Sequence, residues 1–218
     1  MMLPLAPRLP EQGGLELLCI GAHSDDLEIG CSGTVIRLLR ELPVSGVTWV
    51  VLSGSKDRAR EARQAARRVV GRHRGTRILQ AAFRDGFFPY TAAPIKEFFE
   101  TLKREVAPDL ILTHYRHDLH QDHRLVSELT YNTFRDHLIL EYEILKLDGD
   151  LGNPNVYVPL DTTTVRRKIS LLMDSFGTQR DKRWFSEDAF RGLMRLRGME
   201  AGSSSGYAEA FYGRKIVL

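Results

Sequence analysis

Short apolar runs alternate along the chain with longer segments in which apolar residues recur every three or four positions. The short runs have the length of buried strands and cover residues 15–20, 47–52, 77–80 and 110–113. The longer segments have helical spacing and cover residues 35–40, 56–71, 94–106 and 124–137. Strand and helix thus alternate four times, which predicts an α/β fold with a mostly parallel sheet and helices on both faces.

The last third of the chain is less regular. Residues 140–147 alternate between apolar and polar side chains like a strand, and residues 156–160 form another candidate strand. Helical spacing returns over 162–176 and 187–197. No internal repeat, low-complexity tract or linker divides the sequence, so we expect a single domain over residues 1–218. No stretch approaches the ~20 apolar residues of a membrane helix, so no transmembrane segment is expected.

Side chains with catalytic chemistry follow two of the predicted strands. The strand at 15–20 leads into His23, Asp25 and Asp26, and the strand at 110–113 leads into the window 114–123. That window holds four of the seven histidines of the chain, His114, His117, His120 and His123. Because open α/β sheets bind ligands outside the carboxyl ends of their strands, we expect the two loops to meet and share one divalent metal.

A catalytic zinc keeps three protein ligands and leaves one position for water. His23 and Asp26 are three residues apart, close enough to bind one ion from a single tight turn, and His120 or His123 would supply the third donor. A metal in this setting lowers the pKa of bound water towards ~7. Asp25 would then take the proton, and the remaining histidine would stabilise an oxyanion. This set suits hydrolysis of an amide or ester better than redox chemistry.

Composition narrows the class of protein further. The chain is 43% hydrophobic and 27% charged, as in soluble globular proteins. Two cysteines, Cys19 and Cys31, make no disulfide framework, and residues 1–10 lack a secretory signal, so we expect a cytoplasmic protein. The arginine-rich segment 58–77 is interpreted as a solvated helix face, with anion binding as the alternative. It has no interleaved aromatic residues, so nucleic acid is not an expected partner.

Two motifs resemble those of a known family, the LmbE-like or PIG-L deacetylases. Residues 22–34 read AHSDDLEIGCSGT, against the family pattern AHPDDxExGxGGT, and residues 120–124 read HQDHR, against HxDHR. Members of this family are zinc-dependent enzymes with a Rossmann-like fold that remove acetyl groups from N-acetylglucosamine-type sugars. Ser24 replaces a proline and Ser32 replaces a glycine, but neither change removes a metal ligand.

The resemblance implies roles for individual residues. It implies His23, Asp26 and His123 as zinc ligands, Asp25 as the general base and His120 as the group that polarises the developing oxyanion. Weaker similarity covers Arg58-x-x-Glu61-Ala62, Asp85-Gly86 and residues 208–211. It implies substrate binding for Arg58 and Glu209.

Other residues near the motifs have less defined roles. Asp118 and Asp122 would either orient histidines or be ordinary loop carboxylates. An exposed helix arginine is the alternative for Arg58. His114 and His117 lie outside the family motif; they would form an extra metal site or, as we interpret them, be polar lining or surface residues.

The expected function is therefore metal-dependent removal of the acetyl group from an N-acetylated sugar or sugar conjugate. One alternative is an amidase for a non-sugar N-acyl conjugate. Another is a non-catalytic nucleotide-binding domain of the same fold, although Gly21, Gly30 and Gly33 are wrongly spaced for a dinucleotide loop. A third is a nucleic-acid-binding protein that uses the arginine helix. Zinc is the expected cofactor, with other first-row divalent ions as options, and a homo-oligomer remains open.

Overall fold

Seven strands form one sheet in the computed structural model, which describes residues 13–217. The strands are β1 (Leu15–Gly21), β2 (Val44–Ser53), β3 (Thr76–Phe83), β4 (Leu110–His114), β5 (Leu138–Tyr142), β6 (Val156–Pro159) and β7 (Ala208–Gly213). Their order across the sheet is β3-β2-β1-β4-β5-β7-β6. The first five strands are parallel, and β7 runs antiparallel to both β5 and β6. The prediction of a mostly parallel sheet is confirmed.

Helices cover both faces of this sheet. They are α1 (Asp26–Gly30), α2 (Ser32–Glu41), α3 (Lys56–Val70), α4 (Ala92–Glu105), α5 (Gln121–Thr133), α6 (Thr162–Ser175) and α7 (Glu187–Glu200). Side chains alternate along β1, so Leu17 and Cys19 pack with α2, α3, α6 and α7, whereas Leu18 and Ile20 pack with α4 and α5. The two-faced arrangement expected from the alternation of strands and helices is therefore present.

Several predicted boundaries shift for physical reasons. The strand expected over 140–147 ends at Tyr142, because β7 pairs with residues 140–142 only and the chain then turns away. Helix α5 begins at Gln121 rather than residue 124, because the His120 side chain caps it by accepting from the Asp122 backbone N–H. Strand β7 was not expected, since its short sequence carries no clear alternating pattern.

Glu209 has structural contacts that its sequence position did not indicate. Its carboxylate accepts the backbone N–H of Gly33 at 2.9 Å and that of Thr34 at 2.6 Å, in the first turn of α2. The ammonium of Lys168 pairs with the same carboxylate at 2.5 Å, and both side chains are 3% exposed. Glu209 therefore caps α2 and anchors it to β7. The substrate-binding role expected for Glu209 stays a prediction.

Among the residues that the structure describes, no helix is long and apolar enough to cross a membrane. The expected absence of a secretory signal concerns residues 1–10, which lie outside the described part. For the same reason, a single domain over the whole of residues 1–218 stays a prediction.

We predict that Glu209→Gln lowers the free energy of unfolding by about 3–5 kcal/mol, because it leaves the Lys168 ammonium buried without its counter-charge. Urea denaturation followed by circular dichroism would measure this loss. The matched control is Glu187→Gln, which breaks an exposed pair with Arg191 on α7 and should cost less than about 1 kcal/mol. Equal losses for the two variants would contradict the role assigned to Glu209.

Candidate metal centre

The candidate site forms where β1 and β4 end. These strands are parallel neighbours in the centre of the sheet, with Leu17 opposite Leu110 and Cys19 opposite Leu112. The chain leaves β1 through His23 and enters α1 at Asp26, while the chain after β4 leads to the first turn of α5. Both loops therefore lie at the same edge of the sheet, where open α/β folds bind their ligands.

Three donor atoms from these loops face one another. His23 Nδ1 lies 3.0 Å from His123 Nε2 and 3.4 Å from Asp26 Oδ2, and His123 Nε2 lies 3.5 Å from Asp26 Oδ1. All three side chains are buried. Donors around a tetrahedral zinc, at 2.0–2.1 Å from the ion, are about 3.3 Å apart. The spacing and chemistry of this donor set therefore fit one metal ion.

The outer nitrogen of each ring is held by a carboxylate. Asp122 Oδ2 lies 3.2 Å from His23 Nε2, and Asp118 Oδ2 lies 2.9 Å from His123 Nδ1. A carboxylate that accepts the outer N–H leaves the lone pair of the inner nitrogen pointing towards the common point. Of the two interpretations of Asp118 and Asp122, the structure favours the one in which they orient histidines.

The charges of this cluster are strongly coupled. Burial alone would raise the pKa of Asp26, but the surrounding rings of His123, His114 and His23 outweigh it and hold that pKa well below its usual range. Burial opposes charge on His23 as well, yet the Asp26 carboxylate raises the pKa of His23 well above its ordinary value. Burial, with the nearby His114 ring, lowers the pKa of His123 to about 4. Protons and a metal ion would compete for the lone pairs of these donors. The nearby carboxylates stabilise positive charge in both cases, whether a protonated imidazole or a bound metal ion carries it.

Asp25 lies beside this donor set and is held by an arginine. Its Oδ1 lies 3.2 Å from an Arg58 guanidinium nitrogen, and the same guanidinium lies 2.8 Å from Asp85. Burial and then the charge of Asp26 raise the pKa of Asp25, which Arg58 partly offsets. The Arg58 side chain is only 20% exposed, so it is a group of the site rather than a solvated helix arginine.

His120 lies at the same centre but is partly open to solvent. Its Nδ1 accepts the backbone N–H of Asp122 at 3.3 Å, so the neutral ring carries its proton on Nε2. Burial, together with the charge of His23, lowers the pKa of His120 and favours that neutral form. A ring nitrogen of His120 also lies within 4.8 Å of donors of His23 and His123. We assign His123 as the third ligand because its outer nitrogen is held by the Asp118 carboxylate, whereas Nδ1 of His120 accepts a backbone N–H.

The structure also places Asp85 and His114 against this site. Asp85 Oδ1 lies 3.1 Å from His23 Nε2, and it follows the end of β3 just as Asp25 follows β1. His114 is fully buried; its Nε2 accepts the Ala22 backbone N–H at 3.0 Å, and its ring stacks on that of His123 at 3.9 Å.

These positions separate the two options that the sequence left for His114 and His117. His114 is polar lining rather than a surface residue, because its place at the last position of β4 puts it beneath the donor set. His117 is exposed, as expected of a surface residue.

Comparison with known structures identifies the same architecture in several proteins. N,N'-diacetylchitobiose deacetylase from Pyrococcus horikoshii is 20% identical, with a TM-score of 0.72 over 92% of this chain and 84% of that one. GalB, the 4-carboxy-2-hydroxymuconate hydratase from Pseudomonas putida KT2440, is 17% identical, with a TM-score of 0.73 over 94% and 98%. A zinc-inhibited form of teicoplanin deacetylase Orf2 is 12% identical, with a TM-score of 0.69 over 91% and 97%. At such identities the similarity shows the fold alone.

The sequence gives a more specific match. Residues 18–134 match the model of the family described as PIG-L, GlcNAc-PI de-N-acetylase. This segment is just over half of the chain, and it contains the end of β1, all of α1, β4 and α5, and every donor of the candidate site. The resemblance seen in the two motifs is therefore confirmed, and the chain belongs to the PIG-L family of LmbE-like deacetylases.

Proposed function

We propose that this protein is a metal-dependent hydrolase that removes the acetyl group from an N-acetylated sugar or sugar conjugate of the N-acetylglucosamine type. The observation that carries the proposal is the buried donor set of His23, Asp26 and His123, with Asp25 and His120 beside it. Membership of the PIG-L family and the deacetylase activity named for two similar structures support the same reaction.

The ligands of the metal would be His23, Asp26 and His123, and the metal itself would be zinc. When bound, such an ion supplies a Lewis acid for the carbonyl oxygen and lowers the pKa of water at the site. Nitrogen and carboxylate donors also bind other first-row ions. Because one similar structure is described as a zinc-inhibited form, metal reconstitution should compare zinc with cobalt, nickel and manganese.

Asp25 would act as the general base. A general base works best when its pKa lies near the operating pH, and burial moves the pKa of Asp25 in that direction. The Arg58 contact holds Oδ1 at 3.2 Å and so fixes the orientation of the carboxylate. After the proton transfer, Asp25 carries the proton that the departing nitrogen needs when the amide C–N bond breaks.

His120 would stabilise the negative charge that develops on the carbonyl oxygen. Its neutral ring offers Nε2–H as a donor, and the contact at Nδ1 fixes the orientation of the ring. As the alternative proton source for the amine, His120 would first have to take up a proton, because a neutral imidazole N–H is too weak an acid to give its proton away. The products are acetate and a free amine, and water supplies the atoms that balance the reaction.

The substrate-binding groups would be Arg58 and Asp85, at the rim of the donor set. The guanidinium of Arg58 offers paired N–H donors suited to sugar hydroxyls or a phosphate. A shared fold does not choose the reaction, since one protein with this architecture is a hydratase. Measured release of acetate therefore separates deacetylation from water addition and from hydrolysis of other amides.

We predict that the metal-loaded protein releases acetate from N-acetylated amino sugars or their conjugates and that Asp25→Asn lowers kcat by about 10²–10⁴-fold, because the amide cannot accept the proton. Acetate would be measured by a coupled enzymatic assay over a panel of N-acetyl sugars, sugar conjugates and non-sugar N-acetyl amides. Elemental analysis should find the same metal content in the variant as in the wild type.

Asp57→Asn is the matched control, because Asp57 is an exposed residue in the first turn of α3 and should leave kcat unchanged. Wild-type turnover in Asp25→Asn would refute the assigned base. Absence of acetate release from the whole panel, with metal bound, would refute the deacetylase itself.

We predict that Arg58→Met moves the acidic limb of the kcat/KM pH profile to higher pH by about 1 unit. A base must be deprotonated, so activity is lost as the pH falls through its pKa. The Arg58 charge lowers the pKa of Asp25, and its removal should let that pKa rise. Arg60→Met, which alters an exposed arginine on the same helix, should leave the limb in place. An unchanged limb in Arg58→Met, or a shift to lower pH, would argue against this coupling.

A further inference from the structure

A buried lysine lies behind the donor set, on the connection between β5 and β6. Lys146 Nζ is 3.1 Å from Asp118 Oδ1, and it also pairs with Asp150. The Lys146 side chain is only 9% exposed, and those of Asp118 and Asp150 are 3% and 7% exposed. Lysine is almost never this buried unless it is paired, so the contact is a built feature of the fold rather than a solvated surface pair.

Asp118 is the carboxylate through which this lysine reaches the centre. Its Oδ1, which faces Lys146, also accepts the backbone N–H of His120 at 2.7 Å. Its Oδ2 lies 2.9 Å from Nδ1 of His123. One carboxylate thus fixes the main chain of the proton donor and the ring of a metal ligand, and its own orientation depends on what holds Oδ1.

Asp150 ties the same lysine to the histidine loop from the other side. Its Oδ2 accepts the backbone N–H of Leu119 at 2.7 Å while it pairs with Lys146. Two buried carboxylates therefore share one ammonium. Without that ammonium, the negative charges of Asp118 and Asp150 would repel each other in a site of low dielectric. At least one of the two carboxylates would then have to move or take up a proton.

We propose that Lys146 is a positioning residue of the metal centre, which holds the Asp118 carboxylate so that Nε2 of His123 points at Asp26 and His23. This inference rests on the proposed function, because it takes His123 as a metal ligand. Among the described residues, the ammonium of Lys146 pairs with Asp118 and Asp150 and with none of the three donor atoms. It acts through Asp118, in the way that outer carboxylates orient histidines in metal sites.

The test is the zinc affinity of the purified protein, stripped of metal and titrated with zinc against a chromophoric chelator. We predict that Lys146→Met, which keeps the length of the side chain but removes its charge, weakens zinc binding by about 10–100-fold. Lys146→Arg should recover most of the affinity, because it restores a cation within reach of both carboxylates. Lys96→Met, which removes a more exposed pair with Glu100 on α4, should bind zinc like the wild type.

A second readout uses no metal. In the metal-free wild type, ¹⁵N NMR of the histidine side chains should show the proton of His123 on Nδ1, and Lys146→Met should show a mixture of the two tautomers. If Lys146→Met does not fold, Lys146→Gln takes its place in both measurements.

The two proposals fail in different ways. A folded Lys146→Met protein with wild-type zinc affinity and an unchanged His123 tautomer would overturn the positioning role. If the wild type binds no divalent metal, the proposed function fails, and the tautomer measurement alone then decides whether Lys146 positions His123.

Discussion

Pairing between β1 and β4 is the constraint on which the site depends. The two strands are hydrogen-bonded in the middle of the sheet, with residues 17–19 opposite 110–112. This register places the loop that contains His23 beside the loop that leads to His123, although the two residues are 100 positions apart in sequence. A slip of one residue would displace one loop by about 3.3 Å and turn its side chains to the other face, which is more than a metal site tolerates.

Burial of so many ionisable groups has a cost that the surrounding contacts must offset. His23, Asp26 and His123 are all buried. An unpaired charge that is buried away from water is strongly unfavourable. The outer carboxylates Asp118 and Asp122 reduce this cost, since each accepts from one ring and from backbone N–H groups as well. The result is a set of donors that stabilises positive charge at its centre, as the binding of a cation requires.

Much of the fold and the core of the site were predictable from the sequence, because both have local signatures. Alternating strands and helices define the parallel sheet, and polar residues directly after strands mark the ligand-binding edge. Ala22–Thr34 and His120–Arg124 carried the family resemblance, and residues 18–134 match the family model. In both stretches the functional side chains lie within a few residues of one another, so their spacing in the sequence largely determines how they are arranged in the loop.

The remaining features depend on contacts between distant segments, which local patterns do not encode. Glu209 caps a helix 175 positions earlier in the chain, so its carboxylate looked free in the sequence. His114 ends a strand and turns inward, Asp85 lies in a segment with only weak family similarity, and Lys146 reaches the site from a loop with no recognised motif. The apolar alternation over 140–147 predicted a longer strand. The chain there instead forms a loop that places Lys146 against Asp118, next to the candidate metal centre.

The central claim, that His23, Asp26 and His123 converge on one cation, is tested most directly by anomalous diffraction from crystals of the zinc-loaded protein. Data collected on both sides of the zinc absorption edge locate the ion without reference to any assumed chemistry. The account predicts a single strong peak about 2.0–2.2 Å from one donor atom of each of the three residues. A peak at another group, such as the His23, Asp85 and Asp122 cluster, or no peak at saturating zinc, would contradict it.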